Sequence, residues 1–395
     1  MYGNGAVVSE LTESLGNPPR TMRDKLGALA DLLERSGIDP DEVGSVNRVN
    51  VYQGFYKDDD GNAHTVDMHG IVLSPKWETG PEWDFVRQAP PSIIRPVKRN
   101  ATAKKTRTTV ILPDPQIGFR RLDSGEMIPM HDEDAMLLAL QIARDAKPDT
   151  IVNLGDFVDL PEWSSKFLVL PEFVLTTQPA IDRGHRFLAE QRAIAPEASI
   201  KLLAGNHDDR LGKAIAKNAM AALRLRRAES PNEMPVLSMP YLLRLEELGV
   251  EYVSGYPAGR IQIASGGTGQ TPLYAIHGEK LDIAKVAKEE RQSFIQGHIH
   301  RLAHHCMTYE YAGQPETVVA LSPGCLCRVD GAVPSTRSSV DDRGMPLVRW
   351  EAWQQGLAVV EEDEDGFYSI ETVQIIGGKA FWRGKRYATG QDPLG

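Results

Sequence analysis

The chain has 395 residues, of which 41% are hydrophobic and 25% charged, with a formal net charge of −10 at pH 7. That length can bury a large core and more than one structural unit, and the composition is ordinary for a globular protein in water. The acid excess argues against a globally basic nucleic-acid binder but leaves room for local basic patches. No apolar run is long enough to span a bilayer, and residues 1–16 lack the apolar segment of a secretory signal. Cys306, Cys325 and Cys327 form neither a disulfide framework nor a Cys-x-x-Cys zinc pair, so a cytoplasmic protein with no membrane partner is expected.

Residues 1–17 read as a polar, flexible start. Met22, Leu26, Leu29 and Leu33 fall at helical spacing and predict a helix over 20–36, stopped by Gly37. Two strand-like runs, 46–56 and 64–73, flank an acidic turn. Residues 18–74 thus read as a small α+β accessory domain, a helix plus a hairpin. Either it contacts nucleic acid or a protein partner, or it packs on the main body. Residues 75–107 form a Pro-rich linker ending in Lys98, Arg99, Lys104, Lys105 and Arg107, a solvated connection or a weak phosphate contact.

From residue 108 to the C-terminus the pattern is that of an α/β domain. Strands are predicted at 108–112, 150–154 and 199–204, alternating with helices at 132–146 and 180–194, which implies a parallel sheet. Further strands are predicted at 250–253, 260–264, 273–276, 293–296, 304–311, 317–321, 357–360 and 368–375. The turn Tyr311-Ala312-Gly313-Gln314 predicts a hairpin, hence a second sheet with antiparallel pairs. The long loop over 328–349 is a candidate for substrate recognition or a subunit contact.

Polar residues collect just after the strands, where α/β sheets bind their ligands. The segments are Pro113-Asp114-Pro115-Gln116, Gly155-Asp156-Phe157-Val158-Asp159, Gly205-Asn206-His207-Asp208, His277-Gly278 and Gly297-His298-Ile299-His300. Each alone is weak, but their coincidence is not. Carboxylates, carboxamides and imidazoles make the mixed oxygen and nitrogen set that suits Mn, Fe, Zn or Mg, and a shared carboxylate can bridge two such ions. His64, His69, His131, His185, His304 and His305 read as structural or exposed, and Cys325 and Cys327 as core.

The ordered set D-x-[H/Q], G-D-x-x-D, G-N-H-D, H and G-H-x-H resembles the calcineurin-like metallophosphoesterase superfamily over about 108–321. The resemblance implies two mixed β-sheets packed as a sandwich flanked by helices, with a dinuclear metal centre at one sheet edge. One ion would be held by Asp114, Gln116, Asp156 and His300, and the other by Asp156, Asn206, His277 and His298, with Asp156 bridging. His207 resembles the group that donates to the leaving or a phosphoryl oxygen, with a metal-bridging hydroxide as nucleophile. Asp159 and Asp208 resemble supporting carboxylates, one of which orients His207. Arg210 is expected either to contact phosphate or to form a surface salt bridge. Gln116 stands where many members carry His. A neutral carboxamide binds more weakly, which loosens that site and favours two Mn ions, with Mg, Fe or Zn as alternatives.

Leu160-Pro161 after Asp159 departs from the GDxxDRG of the protein phosphatases, which leaves phosphodiesters: nucleic acid, cyclic or small nucleotides, or phospholipid head groups. A nuclease-like enzyme acting on DNA, RNA or nucleotides is the expectation. A phosphomonoesterase, a small-nucleotide phosphodiesterase and a non-catalytic scaffold are the alternatives. Two basic patches lean towards nucleic acid: Arg210, Lys213, Lys217, Arg224, Arg226 and Arg227, and Lys379, Arg383, Lys385 and Arg386 among Phe381, Trp382 and Tyr387. The acidic run 361–365 opposes them. The N-terminal unit, linker and Gln116 are also similar to metallophosphoesterases encoded by bacteriophages, which implies a host-cytoplasm location.

Overall fold

The computed structural model describes residues 33–34, 37, 43–58, 60–75, 106–165, 170–230, 233–333 and 351–390. The predicted helix over 20–36 lies outside them except at 33–34, as do the linker over 76–105 and the loop over 334–349. The chain divides into two compact units, Met1–Ser92 and Ile93–Gly395. In the first, β1 (Val43–Lys57) and β2 (Ala63–Pro75) form an antiparallel hairpin. Its acidic turn is built on Asp58, whose carboxylate accepts the backbone N–H of Asn62 at 2.8 Å and faces His64 Nε2 at 2.7 Å. Such side chain-to-backbone closure is what Asp supplies in turns.

The second unit is layered. Its larger sheet begins with β3 (Arg107–Leu112), β6 (Thr150–Asn153), β7 (Ser199–Leu203) and β8 (Val250–Val253), paired in parallel in that order. It continues antiparallel from the other side of β3 through β14 (Gln355–Glu362), β15 (Tyr368–Ile376), β16 (Lys379–Trp382) and β17 (Lys385–Ala388). A smaller mixed sheet has the order β12 (Leu302–Tyr311), β13 (Gln314–Pro323), β11 (Ser293–Gln296), β10 (Leu273–Ile276), β9 (Arg260–Ala264). A short hairpin of β4 (Phe119–Arg121) and β5 (Met127–Pro129), not foreseen from the sequence, comes after β3.

Strand alternation decides which residues face which layer. Ile111, Val152, Leu154 and Leu203 from the large sheet meet Leu273, Ala275, Ile295 and Leu321 from the small one, forming an apolar seam. The opposite face of the large sheet, with Val110, Leu112, Ile151 and Leu202, is covered by α1 (Glu133–Ala146) and α2 (Thr177–Ile194). On the outer face of the small sheet, Phe294 and Ala320 pack under Ile283, Val286 and Ala287 of α5 (Ile283–Glu290). The order of layers is therefore helix, sheet, sheet, helix. The N-terminus of α1 is capped by Asp132, whose carboxylate accepts the Ala135 N–H at 3.0 Å, a cap worth about 1 kcal/mol. Among the described residues no helix is long and apolar enough to cross a membrane.

The two basic patches are each divided by the fold. After Asn206 the chain forms α3 (Asp209–Asn218), which ends before Arg224, Arg226 and Arg227. Those three come after a 3-10 turn at Met220–Ala222, and Arg226 is spent on the backbone carbonyls of Arg224 and Glu233. A helix of four residues, α4 (Met239–Leu242), precedes β8. In the C-terminal patch Trp382 and Tyr387 are buried and Phe381 is 68% exposed. Arg383 pairs with Glu361 and Glu371, and Lys385 with Asp145, which cancels much of the patch's charge.

Candidate metal centre

The tops of both sheets meet at one cluster. β3 leads into Asp114 and Gln116, β6 into Asp156, β7 into Asn206 and His207, β10 into His277, and β11 into His298 and His300. Asp114, Asp156 and His300 place ligand atoms within 4.8 Å of one another, and so do Asp156, His277 and His298. Asp156 belongs to both groups. His277 Nε2 lies 3.3 Å from Asp156 Oδ1 and 3.1 Å from Asn206 Oδ1. His300 Nε2 lies 3.5 Å from Asp114 Oδ1 and 3.4 Å from Gln116 Nε2. All seven sequence-predicted ligands thus converge.

The backbone bends sharply to bring them there. Asp114, Gln116, Asp156, His298 and His300 all have positive φ, between 38° and 66°. Left-handed backbone costs a non-glycine residue about 1–3 kcal/mol, and such strain concentrates where function requires it. Close approach adds a steric demand: a Cβ on Gly205 would lie 2.2 Å from Asp156 N. Only glycine lets the β6 and β7 turns touch.

Hydrogen bonds orient these side chains. The His277 Nδ1–H donates to the Leu154 carbonyl at 2.8 Å, which leaves Nε2 facing the cluster. The backbone N–H of His207 donates to Asp156 Oδ1 at 2.8 Å, and that of His298 to Asp114 Oδ1 at 2.9 Å. Burial pushes the Asp156 carboxyl up, but the neighbouring His207 and His277 outweigh it and hold it well below the carboxylate range. Burial opposes charge on His277 too, yet Asp156 and Asp114 raise it to about 9. For His298 burial and the nearby His277 win, and its imidazole is shifted down.

Whether cations fit is answered by oxygens left over. Asp114 Oδ2 and Gln116 Oε1 are buried without a hydrogen-bond partner. A buried polar atom without a partner costs about 1–3 kcal/mol, which a bound cation removes. The donor set of carboxylates, carboxamides and imidazoles suits a divalent ion.

Beside the cluster, His207 Nε2 is 3.6 Å from Asp156 Oδ2, and its Nδ1 is 3.1 Å from Asp159 Oδ1, off the line of a hydrogen bond. Asp159 also pairs with Arg210, which is buried rather than on the surface. Burial raises the Asp159 carboxyl, but His207 and Arg210 together bring it below its ordinary value. Asp208 turns the other way. Its carboxylate accepts the N–H groups of Gly205, Phe157 and Val158 at 2.9, 3.1 and 3.2 Å, stapling two strand-end turns together. Burial and the nearby Asp156 push it up to about 6.

Trp353 and Tyr256 carried no sequence signal, whereas Lys213 belongs to the first basic patch. The Trp353 ring meets His300 edge-on at 4.2 Å, the Tyr256 ring meets His277 at 5.6 Å, and Lys213 Nζ stands 5.7 Å over Tyr256. Cys325 and Cys327 are buried, as core residues should be, but they sit against the centre, with Cys327 Sγ 4.0 Å from His300 Nδ1. His131 is buried and structural, bonding Gly118 and Glu133.

The family model described as calcineurin-like phosphoesterase matches residues 123–321, just over half of the chain. The chain belongs to that family of metal-binding phosphoester hydrolases. A search of curated proteins found no match. The matched segment starts after Asp114 and Gln116, which the fold nonetheless brings to the same cluster.

Proposed function

We propose that the chain is a metal-dependent phosphodiesterase with a dinuclear centre, acting on nucleic acid or nucleotides. The observation that carries this reading is the pair of ligand groups sharing Asp156. Asp114, Gln116, Asp156 and His300 would hold one divalent ion, and Asp156, Asn206, His277 and His298 the other. Such ions act as Lewis acids toward phosphoryl oxygens and lower the pKa of water enough for it to attack at neutral pH. Gln116, a neutral oxygen donor, favours Mn over Zn at the first position.

His207 stands at the cluster's edge, where it carries a proton to the departing oxygen. Asp159, beside Nδ1, stabilises the imidazolium that this role requires, and Arg210 balances the carboxylate's charge. Asp208 keeps the β6 and β7 turns in register, so it positions Asp156 and Asn206 rather than His207. Lys213 and Tyr256 supply a cation and an aromatic face beside the centre, in keeping with a nucleotide-bearing substrate.

The test is Mn-dependent hydrolysis of bis(p-nitrophenyl) phosphate beside p-nitrophenyl phosphate, with single- and double-stranded DNA and RNA run in parallel. Metal-dependent diester turnover that Asp156→Asn abolishes is the expected result. Turnover of the monoester alone would make the protein a phosphomonoesterase. Bound metal with no turnover of any ester would leave a non-catalytic scaffold.

A further inference from the structure

A cavity of about 240 Å³ lies on the outer face of β9, β10 and β11, separate from the metal ligands. Two segments run to it from the centre. His277 is followed by Gly278 in the cavity wall, and Tyr256, edge-on to His277, is followed by Pro257 and Ala258 in the same wall. The cavity therefore begins one residue from a candidate ligand on one stretch of chain, and one residue from that ligand's aromatic neighbour on another. Gly278 has φ +78°, and a Cβ there would lie 2.4 Å from Cδ of Gln296. Gln296 is buried in that wall, its Nε2 donating to the Lys280 carbonyl at 2.7 Å.

The lining selects a ligand class. Tyr274 offers an aromatic face, with the Arg260 guanidinium 5.8 Å above its ring, and Ile276 and Phe294 complete an apolar floor. Beside them stand Glu290, Gln292 and Gln296; the amide nitrogens of Gln292 and Gln296 donate to the Pro272 and Lys280 carbonyls, which leaves the two amide oxygens and the Glu290 carboxylate as acceptors. An acyl chain would give those acceptors no donor, and a bare phosphate would meet Glu279 and Glu290 as well as Arg260 and Lys280. A flat heterocycle with polar edges satisfies both parts: single bases are read by stacking on aromatic rings and by hydrogen bonds along their edges. The volume is below the ~300–1,000 Å³ of drug-sized sites, which limits the occupant to one nucleoside and excludes a duplex.

Resting on the phosphodiesterase reading, we propose that this cavity is a nucleoside subsite, holding one unstacked base of the substrate on Tyr274 while the adjoining phosphodiester lies at the metal centre. The substrate is then a nucleotide diester or a single-stranded end rather than the interior of a duplex.

Two measurements on the full chain test this. The first is kcat/KM for the p-nitrophenyl ester of thymidine monophosphate relative to bis(p-nitrophenyl) phosphate, which has no base. Tyr274→Ala should lower that ratio about tenfold, Gln292→Ala less, and Tyr274→Phe should keep it near the native value. The second is saturation-transfer NMR of the four free nucleosides with the metal-free protein, where Tyr274→Ala should remove base-proton saturation that Tyr274→Phe retains. Diester turnover with a ratio and nucleoside signals indifferent to Tyr274 overturns the subsite and leaves the phosphodiesterase standing. Nucleoside saturation that depends on Tyr274, without turnover of any diester, upholds the subsite and removes the phosphodiesterase.

Discussion

The two sheets bring different chemistry to the same cluster. From the large sheet come Asp114, Gln116, Asp156 and Asn206, all oxygen donors; from the small sheet come His277, His298 and His300, all imidazoles. Neither sheet alone holds a complete ligand set, and the residues between them are the apolar seam of Ile111, Val152, Leu154, Ala275 and Ile295. On the proposed reading, docking of the sheets and binding of cations would be linked, each stabilising the arrangement that the other needs. The strain is also divided, since positive φ occurs at three oxygen donors of the large sheet and two imidazoles of the small one.

The largest effect is expected for Asp156→Asn, because Asp156 is the one residue common to both candidate ligand groups. Metal analysis should show both ions lost, and diester turnover should fall about ten-thousandfold. Retention of one tightly bound ion would show that Asp156 does not bridge. His207→Ala should lower kcat about a hundredfold to a thousandfold while metal content stays native, since its ring flanks the cluster. Loss of metal in that variant would place His207 among the ligands.

Truncating the seam tests the link itself. Ile295 is fully buried there, and Ile295→Ala should cost about 2–5 kcal/mol in denaturant unfolding and weaken Mn affinity in parallel. Unchanged Mn affinity at reduced stability would separate docking from binding.

The smallest effect lies on the helical layer, away from the seam. Arg183 clasps Glu133 with Nε and Nη2 at 2.8 and 2.7 Å. Burial pushes the Glu133 carboxyl up, but Arg183 and His131 outweigh it and hold it far below its ordinary 4.5. A depressed carboxyl stabilises the fold above pH 4.5, and that contribution is lost as pH falls toward the folded value. Because the Glu133 side chain is 44% exposed, Glu133→Gln should cost only about 1 kcal/mol at pH 7, and the gap from the native protein should close below about pH 4.5. Unfolding titrations at both pH values measure it.

The local parts of this protein are legible in its residues alone. Ile151-Val152 and Leu202-Leu203 lie in apolar runs that must be buried strands, and each run ends in a glycine-flanked polar turn, so the seven candidate ligands were readable as strand-end residues. Strands such as Val250–Val253 and Leu273–Ile276 fall on their predicted bounds because hydrophobic alternation is written into a few consecutive residues. Features that need distant segments to meet were settled only by packing. The closed fold set Asp159 rather than Asp208 beside His207, because the Asp208 carboxylate is consumed by three backbone N–H groups. It buried Arg210, brought Trp353 and Cys327 against His300, and gathered Tyr274 and Gln292 around a cavity next to His277. No spacing along the chain encodes those contacts, since each is fixed by how two sheets and their helices close over a shared core.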